Sequence, residues 1–286
     1  MKVIQSIAEL RRVLAGTHHI GFVPTMGNLH RGHLSLVKTA HELTDTVVAS
    51  IFVNPLQFAP SEDFASYPRT FERDCELLTQ SGCCDIVFAP TPEEMYPEPQ
   101  QCKVHPPSEL AGMLEGLFRP GFFIGVATVV LKLLNIVAPS FAVFGKKDYQ
   151  QLLLVKDLVR QFALPIEIVA AETVRERNGL ALSSRNGYLK DDERLEAVQL
   201  YRTLRDAAAR LKAGKESRDD IENAAFEFLQ SRGWRPDYIA ICRRQDLKLP
   251  QSNDALVIVA AARLGDTRLI DNLEIQSNSS DCESKG

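Results

Sequence analysis

The sequence predicts an α/β protein, with a larger amino-terminal domain built on a parallel sheet and a smaller α+β domain after it. Over residues 1–174, continuous apolar runs alternate with amphipathic helical patterns, as is typical of strands that a parallel sheet buries on both faces. After residue 190 the order changes, because two helical patterns precede three consecutive strand patterns. We therefore expect domains at 1–174 and 175–274, followed by a disordered polar tail at 275–286.

The predicted elements follow from apolar spacing and from residues that start or stop helices. Ser6 and Gly16, for example, cap and stop the first helical pattern. Helices are predicted at 6–15, 32–43, 70–81, 110–117, 125–137, 148–162, 191–213 and 217–232. Strands are predicted at 20–23, 46–53, 85–89, 141–144, 166–170, 238–242, 255–262 and 267–272, with a candidate edge strand at 102–105.

The composition is ordinary for a globular protein and disfavours some classes of function. The 286 residues are 45% hydrophobic and 24% charged, with a net charge of −4 and a pI near 5.9. Such an acidic chain is poorly suited to holding long nucleic acids, although it can bind a small anion locally. The amino terminus lacks the apolar core of a signal peptide, and the six cysteines are scattered. We expect a cytoplasmic protein with reduced thiols and no membrane or nucleic-acid partner.

The stretch from Gly21 to His33 predicts a strand, a glycine-containing turn and the start of a helix. The first N–H groups of a helix lack intrahelical partners and the helix dipole favours negative charge, so this arrangement predicts a phosphate site. His30 and His33 lie three residues apart, on one helix face, where two imidazoles can donate hydrogen bonds to phosphate. Two other interpretations stay open: a cap or surface role, and a metal site that no nearby Cys, Asp or Glu completes.

Further polar side chains follow predicted strands, at the edge where open α/β sheets bind ligands. Gln57 offers a donor and an acceptor to a hydroxy acid, although a solvated loop amide has the same sequence pattern. Lys147 suits phosphate, Asp148 suits a helix cap, and Gln151 lies one turn into the helix that follows. At 182–186, two hydroxyls and a guanidinium form a phosphate clamp on a mobile loop.

Several motifs occur together in one order along the chain: Pro24-Thr25-Met26-Gly27, His30-Arg31-Gly32-His33, Asn54-Pro55-Leu56-Gln57-Phe58, Tyr67-Pro68-Arg69, Phe144-Gly145-Lys146-Lys147-Asp148-Tyr149-Gln150-Gln151 and Leu182-Ser183-Ser184-Arg185-Asn186. This set closely resembles the pantothenate synthetase (pantoate–β-alanine ligase) family of the nucleotidyltransferase superfamily. The resemblance covers residues 1–272, nearly the whole chain.

The resemblance implies a Rossmann-like amino-terminal domain, a smaller carboxy-terminal lid domain and a homodimer. It implies ATP as co-substrate, with Mg²⁺ bound mainly through the ATP phosphates and no metal site made by the protein alone. In the implied reaction, the carboxylate of pantoate attacks the α-phosphate of ATP, which gives pantoyl adenylate and pyrophosphate. The amine of β-alanine then displaces AMP and forms pantothenate. Such chemistry depends mainly on positioning and charge stabilisation.

The resemblance also implies roles for individual residues. His33, His30, Lys147 and Arg185 would be catalytic, with His33 either the family's proton donor or a source of hydrogen-bonding and electrostatic stabilisation. Gln57 would bind pantoate and β-alanine, Gln151 would bind pantoate, and Asn54 would belong to the same substrate site. ATP contacts are implied for Met26, Gly27, Asn28, Leu29, His30, Arg31, Gly32, His33, Gly145, Lys146, Lys147, Asp148, Val174, Leu182, Ser183, Ser184 and Arg185.

Two residues depart from the family pattern. Phe122 stands where the family commonly has His, and Lys146 stands where it commonly has Glu. The first change removes a polar group near the substrate edge, and the second reverses the local charge. We expect activity to survive with altered affinity for substrate or ATP.

Three other functions fit the sequence less well. An adenylyltransferase that attaches AMP to a phosphate ester would lack the two glutamines that hold a hydroxy acid. A non-catalytic nucleotide-binding relative is suggested by Phe122 and Lys146, but intact His30, His33 and Arg185 argue against it. A nucleic-acid-binding module is disfavoured by the acidic pI.

Overall fold

The computed structural model of the chain describes residues 1–60 and 62–275, which divide into two compact units. The first unit holds residues 1–176 and 181–187, and the second holds 177–180 and the residues from 188 onward. This division differs from the predicted boundary at 174 because residues 181–187 return to the first unit, where Ala181 bridges Arg175. The predicted tail lies outside the described residues, except that Ile275 ends the last strand.

The first unit contains a parallel sheet, as predicted, and this sheet has six strands. Its strands are β1 (Lys2–Ile4), β2 (Ile20–Thr25), β3 (Thr46–Ile51), β4 (Ile86–Phe88), β5 (Phe141–Gly145) and β6 (Glu167–Ala171). They lie in the order β1-β4-β3-β2-β5-β6, and every pair is parallel. Val47, Val48 and Ala49 of β3 expose no surface, as expected for a strand covered on both faces.

The strand order reverses between β2 and β5. From β2 the chain proceeds through β3 to β4 on one side, and it then returns to add β5 and β6 on the other side. In open α/β sheets, the crevice beyond the carboxyl ends of two such neighbouring strands is where ligands bind. The topology therefore places a candidate site beyond Thr25 and Gly145, which end β2 and β5.

Most helices of the first unit lie close to their predicted positions, but one short helix is not predicted and one predicted helix is divided in two. They are α1 (Ile7–Leu14), α2 (Arg31–Leu43), α3 (Phe71–Ser81), α4 (Pro92–Met95), α5 (Ser108–Ala111), α6 (Glu115–Phe118), α7 (Phe122–Val137) and α8 (Tyr149–Gln161). Ser6 caps α1 as predicted, because its hydroxyl accepts a hydrogen bond from the Glu9 N–H at 3.2 Å. None of the helices in the described ranges is long and apolar enough to cross a membrane.

Three predictions in this unit were wrong. The prediction missed β1, because it is only three residues long and gains its hydrogen bonds by pairing with the distant β4. Residues 102–105 do not form a strand, since the Val104 N–H donates to the Thr128 hydroxyl at 3.0 Å instead. The helix predicted at 110–117 is broken into α5 and α6 at Leu114, whose φ is +47°.

The second unit packs helices on an antiparallel sheet, as predicted. It contains α9 (Asp191–Glu196), α10 (Val198–Ala213), α11 (Arg218–Ser231), β7 (Arg235–Arg243), β8 (Leu256–Leu264) and β9 (Thr267–Ile275), with β8 in the centre of the sheet. The single helix predicted at 191–213 is divided at Ala197. Leu204, Ile221, Leu229 and Ile241 are each at most 1% exposed and form much of the core of this unit.

Five cysteines are free thiols, which agrees with the prediction for that part of the chain: Cys75, Cys83, Cys84, Cys102 and Cys242. The sixth, Cys282, lies outside the described residues.

Gly125 allows α7 to approach the segment after β3, and we expect Gly125→Ala to destabilise the protein. An added Cβ would lie 2.2 Å from the Leu56 carbonyl oxygen, so the backbone must move, at a cost of about 3 kcal/mol. Urea unfolding measures this change as a lower midpoint. Gly187→Ala is the matched control, because a Cβ there meets no heavy atom of the described chain within 4 Å. Equal midpoints for the two variants would contradict the packing argument.

Candidate active site

One pocket of the first unit lies where the strand order reverses. Residues that follow β2, β3, β5 and β6 line it, together with apolar side chains of α7. Predicted site residues found in its lining are Met26, His30, Gly32, His33, Asn54, Gln57, Gly145, Lys147, Asp148, Gln151, Val174, Leu182, Ser183, Ser184 and Arg185. The other predicted site residues, Gly27, Asn28, Leu29, Arg31 and Lys146, lie outside this lining.

The turn between β2 and α2 is fixed by the fully buried carboxylate of Asp74, on α3. Its two oxygens accept hydrogen bonds from the N–H groups of Asn28 at 2.8 Å and Leu29 at 2.7 Å. The Thr70 hydroxyl donates to the same carboxylate at 3.1 Å. Gly27 and Asn28 can then take left-handed φ values of +81° and +49°. Asp74 therefore positions both histidines that follow the turn.

Several backbone N–H groups near the start of α2 already have partners within the protein. The N–H groups of Asn28 and Leu29 already donate to Asp74, and that of Gly32 donates to His30 Nδ1 at 3.1 Å. The Leu29 side chain is only 1% exposed and belongs to the core. Side chains in this part of the pocket can add further donors for an anion.

His30 and His33 supply such donors. His33 Nδ1 accepts the N–H of His30 at 3.3 Å, just as His30 Nδ1 accepts that of Gly32. The two rings stack, with centroids 4.0 Å apart and planes inclined by 25°. A neutral imidazole that accepts through Nδ1 carries its proton on Nε2, so each ring keeps one N–H donor. His30 therefore caps α2, which is one of the interpretations that the sequence left open, and it also lines the pocket.

Both imidazoles are neutral at pH 7. Burial, and secondarily the positive charge of Lys147, lower the pKa of His30 to about 4. Burial, then His30 and Lys147, lower the pKa of His33 to about 3. A neutral ring donates a hydrogen bond without giving up its proton, so in the ligand-free protein the pair is suited to hydrogen bonding rather than to acid catalysis.

The amide of Gln57 has a defined orientation because Asn54 holds it. Asn54 Nδ2 donates to the Gly125 carbonyl at 3.2 Å and to Gln57 Oε1 at 3.0 Å. Asn54 Oδ1 accepts from the Tyr96 hydroxyl at 2.8 Å, and burial raises the pKa of that hydroxyl so that it stays protonated. Gln57 Nε2 is therefore directed towards Met26 Sδ, 3.1 Å away, on the pocket side. Gln57 can donate hydrogen bonds to a ligand oxygen.

The segment after β5 contributes charge and a second amide. Lys147, Asp148 and Gln151 line the pocket, whereas the ammonium group of Lys146 pairs with Glu172. Asp148 occupies the N-cap position of α8, but its side chain makes no capping hydrogen bond to any described residue. The capping role that the sequence suggested for Asp148 is therefore wrong. Gln150, next to Gln151, is structural: its Nε2 binds the carbonyls at the break before α6.

Phe122, the other departure from the family pattern, lies outside the pocket lining. The Arg119 guanidinium stacks on its ring, 3.6 Å from the ring centroid. Such a contact is a cation–π interaction, which stabilises the start of α7. An effect of this residue on affinity would therefore be transmitted through Arg119 rather than made by direct contact with a ligand in the pocket.

The predicted phosphate clamp lies against the turn after β2. The hydroxyl of Ser184 donates to the Asn28 carbonyl at 3.2 Å, and the N–H of Arg185 donates to the Ser183 hydroxyl at 3.2 Å. The Leu182 N–H donates to the Val174 carbonyl at 3.0 Å, which ties the segment to the residues after β6. These bonds place the Arg185 guanidinium in the pocket lining beside the residues that follow β2 and β5.

Sequence reasoning missed Asp74 and Tyr96. They lie 46 and 42 residues from the groups that they bind, so only the folded chain brings them together. A signal for Asp74 exists, because it lies on the same helical face as Leu78. An acidic residue on an apolar face indicates a buried carboxylate with polar partners.

Within residues 1–60 and 62–275, no three His, Cys, Asp or Glu side chains cluster as a metal site requires. The Nδ1 atoms of His30 and His33 accept backbone N–H groups, so they are not available to a metal.

Together, the fold and the pocket define an α/β enzyme that handles a phosphate-bearing substrate next to a small polar one. A sequence model of the family described as pantoate-beta-alanine ligase matches residues 2–274, and the chain belongs to this family.

Solved structures agree. The chain is 47% identical to pantothenate synthetase from Thermus thermophilus, with a TM-score of 0.91 over 97% of this chain and 100% of that one. It is 35% identical to the pantoate-beta-alanine ligase from Francisella tularensis, solved in complex with beta-gamma ATP and beta-alanine, with a TM-score of 0.83. That match covers 97% of this chain and 98% of the relative. The predicted family, fold class and ATP-dependent ligase activity are confirmed.

The buried neutral histidines make the protein less stable in acid. An unfolded histidine has a pKa of about 6.5, whereas folded His33 has a pKa of about 3. Below about pH 6.5 the histidine therefore binds more protons in the unfolded chain than in the folded one. As the pH is lowered from there, the free energy of unfolding decreases until the folded pKa is reached. We expect His33→Gln to lose less stability than the wild type between about pH 7.5 and 5.5.

Urea midpoints at both pH values measure this difference. His41→Gln is the control, because it removes an exposed imidazole from the same helix and leaves the buried pair in place. An unchanged pH dependence in His33→Gln would show that His33 is not held neutral by burial.

Proposed function

We propose that this pocket carries both steps of pantothenate synthesis, adenylation of pantoate and transfer of the pantoyl group to β-alanine. The observation that carries the proposal is that two different sets of polar side chains line the same pocket. Two neutral imidazoles, Lys147 and Arg185 suit the phosphates of ATP, and Gln57 and Gln151 suit a hydroxy acid. An enzyme that joins AMP to a carboxylate needs both sets side by side.

In the first step, a carboxylate oxygen of pantoate bonds to the α-phosphorus of ATP, and pyrophosphate leaves with the electrons of the broken P–O bond. Negative charge shifts onto the leaving pyrophosphate and over the α-phosphate oxygens. The Nε2–H groups of His30 and His33 donate to these oxygens, and Lys147 supplies positive charge close to both rings. This assignment favours hydrogen-bonding stabilisation over proton donation by His33.

Arg185, Ser183 and Ser184 suit the phosphates that leave. A guanidinium binds phosphate through paired N–H donors, and hydroxyls add single hydrogen bonds. All three residues line the pocket. We assign these three residues to the β- and γ-phosphates. The rest of the nucleotide would lie along Gly145, Asp148, Val174 and Leu182.

Pantoate combines a carboxylate, two hydroxyls and two methyl groups, and the pocket offers matching surfaces. Gln57 directs its Nε2 donors to the pocket, and Gln151 adds a second amide from α8. Val126, Val129 and Val130 of α7 form an apolar wall that suits the methyl groups. Met26, the first residue after β2, contacts the Gln57 amide through its sulfur.

In the second step, the amine nitrogen of β-alanine bonds to the acyl carbon, the bond to the AMP oxygen breaks, and the amine loses a proton. The Francisella tularensis relative was solved with beta-gamma ATP and beta-alanine, which supports one site for nucleotide and amine. We place β-alanine next to Gln57, where it can reach the carboxyl carbon of bound pantoate.

Further features of this proposal concern the state in which the enzyme works. Mg²⁺ would be held mainly through the ATP phosphates, whose charge it would neutralise, with the pocket carboxylate of Asp148 nearby. The enzyme would work as a homodimer in the cytoplasm, and the second unit would act as a lid. Neither a nucleic acid nor a membrane would be needed.

The release of pyrophosphate and AMP tests the proposal. With ATP and Mg²⁺, pyrophosphate should appear only when pantoate is present, and AMP only when β-alanine is added as well. His33→Ala should lower the rate of pyrophosphate release by roughly 100-fold or more, because it removes a donor to the developing charge. His41→Ala, on the exposed side of the same helix, should retain the wild-type rate.

Pyrophosphate release without pantoate, or none when pantoate is present, would contradict the adenylation step. Equal rates for the two alanine variants would contradict the role of His33.

A further inference from the structure

Arg185, which the proposed function assigns to the phosphates of ATP, has a carboxylate partner that no motif of the sequence indicated. The two oxygens of Asp63 accept hydrogen bonds from Arg185 Nε at 3.3 Å and Nη2 at 3.2 Å. Both side chains are partly buried, with 32% of Arg185 and 24% of Asp63 exposed. A paired, two-point contact of this kind fixes the direction of a guanidinium plane, which a single hydrogen bond cannot do.

The neighbouring residue holds Asp63 in place. Glu62 forms a two-point ion pair with Arg119, at 2.5 Å to Nε and 2.9 Å to Nη2. Its carboxylate also accepts the N–H of Ala59 at 3.2 Å, which ties the segment to its own backbone. The Arg119 side chain is only 12% exposed and stacks on Phe122. Glu62 is thus the anchor of the segment, and Asp63 reaches Arg185 from a fixed position.

The two members of the pair differ in their relation to the pocket. Arg185 belongs to the pocket lining and Asp63 does not. Asp63 occupies the Nε–Nη2 edge of the guanidinium, which leaves the Nη1 side for a second anion. A carboxylate on one edge and a phosphate on the other is an arrangement that the planar, five-donor guanidinium allows.

We propose that Asp63 is a positioning residue of the nucleotide site, which orients Arg185 so that its remaining N–H donors meet the phosphates of ATP. Without Asp63 the long arginine side chain would sample several rotamers, and ATP would have to order it on binding. With Asp63 that ordering is complete before the nucleotide arrives. The inference rests on the proposed role of Arg185 and adds a residue that acts only through it.

A double-mutant cycle on the full-length enzyme tests the proposal. The variants are Asp63→Asn, Arg185→Ala and the double variant, and the measured quantities are the Michaelis constants for ATP, pantoate and β-alanine. We expect Asp63→Asn to raise the Michaelis constant for ATP by about fivefold and to leave those for pantoate and β-alanine unchanged. In the Arg185→Ala background the same change should have no further effect, because the residue through which Asp63 acts is gone.

Two controls separate positioning from folding. Asp63→Glu keeps the charge and should recover most of the affinity for ATP. Glu72→Gln removes an exposed carboxylate from α3 and should leave every Michaelis constant unchanged.

Each other result overturns the proposal in a recognisable way. A lower Michaelis constant for ATP in Asp63→Asn would mean that Asp63 competes with phosphate for Arg185. An equal rise in the Arg185→Ala background would mean that Asp63 acts on the fold and not through Arg185. If Arg185→Ala itself leaves the Michaelis constant for ATP unchanged, the proposed role of Arg185 fails as well. If Arg185→Ala raises it and Asp63→Asn does not, the positioning role alone fails.

Discussion

The buried carboxylate of Asp74 is the constraint on which the site depends. It accepts two backbone N–H groups of the turn after β2 and the hydroxyl of Thr70, and it has no exposed surface. A buried carboxylate is costly unless hydrogen bonds compensate its charge, so the turn and the carboxylate stabilise each other. This turn places His30 at the start of α2, and the shape of the pocket follows from the position of His30.

In the pocket, positive charge and neutral hydrogen-bond donors come from different side chains, whereas a single charged group would combine the two. Positive charge comes from Lys147 and Arg185, whereas the two histidines are kept neutral by burial and by the nearby ammonium group. Neutral donors with fixed Nε2–H groups can stabilise the charge that develops on a phosphate in the transition state without binding the ground state too tightly. Gln57 is likewise a neutral donor with a fixed orientation, because Asn54 sets the direction of its amide before any ligand binds.

Much of this arrangement could be predicted from the sequence, because the information is local. The apolar run of β3 and the helical spacing of α2 predict their own structure, and the position of Gln57 after β3 predicts its place at the ligand edge. What could not be predicted depends on partners far along the chain. Nothing near Asn28 and Leu29 in the sequence reveals that their N–H groups donate to Asp74, and β1 exists only through β4. The contacts of Asp63 and Tyr96 depend on tertiary structure in the same way.

The protonation state of the histidine pair is the central claim, and ¹⁵N NMR of the imidazole rings measures it directly. In the ligand-free protein at about pH 6, a neutral ring and a charged ring give clearly different nitrogen shifts, as do the two neutral tautomers. We expect His30 and His33 both to be neutral at that pH, with the proton on Nε2. A charged imidazole on either residue at that pH, or a proton on Nδ1, would contradict the account.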